Sequence, residues 1–100
     1  MIKHIVMWKL KQDALGKRAA ENANAMKQML DELDGIIPEL KRIEVSVDVR
    51  ASAPECDVVL YSEFENMQDL DAYQVHPAHL KCVEFIKQIV SERRVVDYAI

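Results

Sequence analysis

The chain has 100 residues, 50% hydrophobic and 30% charged, the composition of one globular domain with a feasible but thin core. Its 13 basic and 17 acidic residues leave a net charge of −4, which argues against nucleic acid, a partner that rewards a basic face. The longest apolar runs, such as Ile5–Trp8 and Val58–Tyr61, hold four residues. A membrane span needs about 20 and a signal peptide an apolar stretch of about 7–15. The expected setting is therefore cytoplasmic, away from membranes, with Cys56 and Cys82 as free thiols.

Ile2–Lys11 is predicted as the first strand, rich in β-branched residues and free of breakers. Ile2, His4, Val6, Trp8 and Leu10 share one face, and Ile5 and Met7 the other. A helix is expected from about Asp13 to Leu33. Leu15, Ala19, Ala23, Met26, Leu30 and Leu33 form its apolar stripe, and Gly35 and Pro38 stop it. Lys41–Arg50 alternates cleanly, with Ile43, Val45, Val47 and Val49 opposed by Glu44, Ser46 and Asp48. Asp57–Glu65 follows as a strand with Val58, Leu60 and Phe64 on one face and Val59 and Tyr61 on the other. Asn66 is a helix cap with Asp69 three residues on. Pro77 splits the second helical unit, which runs to about Val90, and Arg93–Ile100 is the last strand.

The order is β-α-β-β-α-β, the ferredoxin-like α+β arrangement. It implies a four-stranded antiparallel sheet with strands one and three central and both helical units on one face. The other face then leaves Val59, Tyr61 and one set of first-strand side chains bare. A contiguous exposed apolar patch marks an interface, so the chain is expected to form a homodimer through its sheet faces.

The stretch Tyr73-Gln-Val-His76-Pro77-Ala-His79 holds the candidate chemistry. On an unbroken helix, positions six apart diverge by about 120°, so Tyr73 and His79 would not share a pocket. Pro77 disfavours helix at His76 and suits the first turn of a new one. The bend can aim both side chains at one volume. His79 falls in that first turn, where the helix dipole favours the neutral imidazole, able to act as a base. Tyr73 supplies a hydroxyl that stays protonated at neutral pH.

The opening Met1-Ile-Lys-His-Ile-Val-Met-Trp-Lys-Leu10, the segment Asp69-Leu-Asp-Ala-Tyr-Gln-Val-His-Pro-Ala-His79 and the ending Val95-Val-Asp-Tyr98 together resemble the stress-responsive dimeric α/β-barrel (Dabb) domain family, over essentially the whole chain. The resemblance implies a ferredoxin-like protomer and a homodimer whose two sheets form a barrel. A plant member of that family closes a polyketide ring without metal or organic cofactor. Its catalytic tyrosine and histidine correspond by motif to Tyr73 and His79, and a pocket histidine near its N-terminus to His4. The present chain departs from that cyclase after His79, where it reads Leu80-Lys-Cys-Val-Glu84.

Each candidate also has a plainer role. His79 is a general base or a partly buried histidine bonded to backbone. Tyr73 is an oxyanion donor or a core tyrosine, and His76 is a cap or hinge. His4, Val6, Trp8 and Met26 are candidate substrate-binding residues, with Met29 as a further lining residue, although core filling is the ordinary use of Met26 and Met29. His76, His79 and His4 suggest a metal, but no carboxylate or thiol completes a tetrahedral set, so no metal or other cofactor is expected. Arg93 and Arg94 read as a solvated face. Asp97 either pairs with a basic group or holds a partner's backbone. Two functions remain open. One is cofactor-free general-base chemistry on a small, mostly apolar carbonyl compound. The other is a non-enzymatic, stress-related structural or ligand-carrier dimer.

Overall fold

The computed structural model describes residues 1–100. Strand β1, Ile2–Leu10, buries alternate side chains, as a strand covered on one face must: His4, Val6, Trp8 and Leu10 are buried while Ile5 and Met7 are half-buried. Strand β5, Val58–Phe64, has the same pattern, with Val58, Leu60, Ser62 and Phe64 buried. β5 and β1 are central in an antiparallel sheet of order β4-β5-β1-β6, in which β4 is Arg42–Ser46 and β6 is Val90–Ala99. The fold is ferredoxin-like α+β, as the order of elements implied.

The expected helix from Asp13 needs correction at its start. Asp13–Ala14 (β2) and Lys17–Arg18 (β3) pair as a short antiparallel hairpin, and helix α1 spans only Ala19–Asp31. Leu15 and Gly16 at the tip have φ of 55° and 73°. Two consecutive positive values are the signature of a tight hairpin turn, and glycine adopts them without a Cβ penalty. Leu15 is thus an exposed tip residue rather than the first of the helical stripe. The stripe itself holds from Ala23 through Met26 and Leu30. Asn22, 1% exposed, ties hairpin to helix by donating from Nδ2 to the Ala14 carbonyl at 3.0 Å.

Beyond α1, the chain turns through Gly35 at φ 82° and inserts Ile37 and Leu40 into the core. β4 is shorter than the alternation of Lys41–Arg50 suggested, because register with β5 ends at the Ser46–Val59 pair. Helix α2, Met67–Val75, is capped by Asn66 Oδ1, which accepts from the Asp69 N–H at 2.9 Å. Helix α3, Pro77–Ile89, passes directly into β6, three residues earlier than expected. No helix is long and apolar enough to cross a membrane.

One face of the sheet carries the helices and the buried core. The opposite face has none. On it, Tyr61, Ile5 and Val96 form a cross-strand row, and Val59 and Met7 the next. Glu63 accepts hydrogen bonds from Lys3 at 2.9 Å and from the Tyr61 hydroxyl at 2.5 Å, a polar edge to an apolar surface.

Candidate functional site

The break between α2 and α3 builds one wall of the site. His76 is extended, with φ −63° and ψ 136°, as a residue before proline prefers. Its Nδ1 accepts the Ala78 N–H at 3.0 Å and so caps α3; Pro77 occupies the first helical turn, where its missing N–H is not needed. This re-aims the next helix. The rings of Tyr73 and His79 consequently meet, with centroids 4.4 Å apart at 45°. Tyr73 also leans on Phe64, at 4.9 Å.

The opposite wall comes from β1 and β6. Residues directly opposed in an antiparallel pair project to the same face. His4 opposes Asp97, Val6 opposes Val95, and Trp8 opposes Arg93. All six therefore lie on the helix-covered side. His4 is 3% exposed and its Nδ1 bonds the Asp97 carboxylate. Its ring stands edge-on to Tyr73 with centroids 6.3 Å apart.

Between these walls lies a cavity of about 500 Å³, lined by His4, Val6, Trp8, Tyr73, His79 and ten further residues of mainly apolar character, together with Asp97. That size and character suit a small organic ligand.

The hydrogen bonds fix the roles of the polar groups. His79 Nδ1 lies 3.0 Å from the Gln74 carbonyl oxygen. A carbonyl can only accept, so Nδ1 carries the proton and, in the neutral ring, Nε2 carries the lone pair. Burial pushes His79 below the ordinary imidazole range. The bond to Gln74 opposes this, and the positive charge of Arg93 acts in the same direction as burial. Tyr73 is 1% exposed and its hydroxyl bonds no protein group. Every side-chain nitrogen or oxygen fully sealed from solvent has a partner, so this hydroxyl is reached through the cavity. Burial raises Tyr73 far above the usual phenol range, which keeps it a proton donor in hydrogen bonds.

Of the residues singled out from the sequence, His79, Tyr73, His4, Val6 and Trp8 share the cavity. Met26 does not. It lies on the α1 stripe, fully buried in the core. Met29 lines a separate groove beside His76 and Cys82. Arg93 is exposed, as expected of a solvated face, and it also lines the cavity. The signal for it was the alternation Arg93, Val95, Asp97 on a strand opposing His4, Val6 and Trp8. Gln74, on α2, and Leu80, Val83, Ile86 and Lys87 were not foreseen as lining residues; the last four follow from the turn of α3 once Pro77 has re-aimed it.

Comparison with known proteins agrees with this architecture. A dimeric ferredoxin-like protein from Bacteroides fragilis superposes with a TM-score of 0.82 at 30% identity, covering 99% of this chain and 95% of that one. A hydroxynitrile lyase from Passiflora edulis has the same fold, with a TM-score of 0.81 at 18% identity over 99% of this chain and 92% of its own. The stress-response A/B barrel domain-containing protein DABB1 of Arabidopsis thaliana is 26% identical over 98% of this chain, which spans 46% of that relative's length. The model of the stress responsive A/B barrel domain matches residues 2–100, and the chain belongs to that Dabb family.

Proposed function

We propose that the protein is a homodimer, joined through its sheet faces, that binds a small, mostly apolar carbonyl compound in the cavity and carries out general-base chemistry on it without a cofactor. His79 Nε2 takes a proton from the carbon next to the carbonyl. The electron pair of that C–H bond moves into the new C–C double bond, and charge develops on the carbonyl oxygen. The Tyr73 hydroxyl donates a hydrogen bond to that oxygen. Return of a proton from His79 completes the exchange. The observation that carries this reading is the pairing of an acceptor nitrogen and an unbonded hydroxyl, 4.4 Å between ring centroids, on one apolar cavity. A positioned base contributes about 10²–10⁴-fold, and an oxyanion donor about 10²–10³-fold.

Supporting the dimer are the bare apolar rows of the sheet and the dimeric state of the Bacteroides relative. The free thiols of Cys56 and Cys82 fit a reducing compartment, the cytoplasm. Fold alone does not select a reaction, although the Passiflora lyase is an enzyme on this fold. A second reading, a stress-related structural or carrier dimer, draws on the similarity to DABB1.

Hydrogen–deuterium exchange at the α-carbons of 2-octanone, followed by proton NMR, separates the two. The enzyme reading expects wild-type protein to accelerate exchange over buffer and His79→Ala, verified as folded by circular dichroism, to lose the acceleration. Equal exchange in wild type, variant and buffer would leave only the carrier.

A further inference from the structure

The polar groups of the cavity carry an unbalanced charge. Arg93 projects from β6 on the helix side, opposite Trp8, and is exposed where the cavity wall meets solvent. Like the side chains of Arg18 and Arg94, its own takes part in no ion pair or hydrogen bond, but of these three residues Arg93 alone lines the cavity; Arg42 is paired with Glu44 and Arg50 with Asp48. Lys87 lines the same cavity from α3 and is paired only with the exposed Glu84. Asp97 is the one carboxylate lining the cavity, and it is engaged by His4. Two cations thus border a mainly apolar space in a chain whose net charge is −4. Arg93 is also near enough to His79 to disfavour protonation of its ring.

We infer that the compound taken up here is a small keto acid, its carboxylate held by the Arg93 guanidinium with Lys87 beside it and its hydrocarbon part lying against Val6, Trp8, Ile86 and Val95. The inference rests on the cavity being the ligand site. A guanidinium presents a planar fork that matches a carboxylate with two parallel hydrogen bonds, shorter and stronger than neutral ones. An unpaired fork at the rim of an apolar cavity selects an amphipathic anion over a neutral hydrocarbon. Because Arg93 and His79 line the same cavity, the anchored carboxylate brings the neighbouring carbonyl, and the C–H beside it, towards the base.

Trp8 is the only tryptophan and lines the cavity, so its fluorescence reports occupancy. The test titrates wild-type protein, Arg93→Gln and Arg93→Lys with octanoate, with octanamide, which is nearly isosteric and neutral, and with octyl phosphate. Octanoate is expected to bind wild type roughly tenfold or more tightly than octanamide. Arg93→Gln should abolish that preference with octanamide affinity unchanged, and Arg93→Lys should retain only part of it. Equal affinities in wild type, or a preference that survives in Arg93→Gln, would overturn the inference and leave the cavity reading intact. Binding of octyl phosphate well above octanoate would replace the carboxylate with a phosphate and overturn it too. Failure of all three probes to bind would overturn the cavity reading and the inference together.

Discussion

Tyr73→Phe separates a catalytic hydroxyl from a structural one. The ring stays, and with it the contacts to Phe64 at 4.9 Å and His79 at 4.4 Å. Only the hydroxyl is lost, and it bonds no protein group. A hydroxyl with a protein partner contributes about 0.5–1.5 kcal/mol. Without one, the substitution should change stability by less than about 0.5 kcal/mol in urea unfolding at fixed protein concentration. Tyr73→Ala, which also removes a 1% exposed ring, should cost about 3–5 kcal/mol. The effect on chemistry has the opposite weighting. If the hydroxyl stabilises the developing oxyanion, Tyr73→Phe should slow α-proton exchange by about 10²–10³-fold, equivalent to about 2.7–4 kcal/mol of barrier. A loss of more than about 1.5 kcal/mol in stability with exchange unchanged would refute the reasoning, because the hydroxyl would then be bonded and structural.

Three more expectations concern charge and assembly. The His79 imidazole binds its proton less readily in the folded chain than its ordinary 6.5; as pH falls through that window the unfolded state binds more protons, so stability drops. Urea midpoints at about pH 7.5 and about pH 5 should diverge in wild type and converge in His79→Gln, and an unaltered divergence would contradict this assignment. Asp97→Ala leaves buried His4 Nδ1 without its carboxylate and should cost about 1–3 kcal/mol in urea unfolding, with Asp97→Asn losing less because an acceptor oxygen remains; two equally neutral variants would show the pair to be idle. Ile5→Glu puts a charge in the middle of the Tyr61–Ile5–Val96 row and should shift sedimentation from dimer to monomer at micromolar concentration. A variant that stays dimeric would move the interface elsewhere.

Period and punctuation carried most of the fold. The alternation of β4 and the stripe of α1 each point to a single buried face, the apolar groups on both faces of β1 and β5 mark them as the central strands, and Pro77 marks the helix break that the structure shows between Val75 and Pro77. The hairpin at Leu15–Gly16 was hidden because Leu15 and Ala19 fit the helical stripe by spacing, and tight turn geometry outweighed that match. Met26 shows a related limit. Spacing places it on the apolar face of α1 but does not say whether that face meets a cavity or a packed core. In the site, Tyr73 and His79 were readable from the proline between them, a local feature. The His4–Asp97 pair and Arg93 were not, because they depend on the register of β6 against β1, a pairing between the two ends of the chain.

The central claim is a neutral His79 that holds its proton on Nδ1 and offers Nε2 to the cavity. Nitrogen-15 NMR of the imidazoles near neutral pH, assigned with His79→Gln, measures this directly. A protonated Nδ1 and a bare Nε2 are the predicted result. An Nε2–H tautomer, or a fully protonated ring, would contradict it.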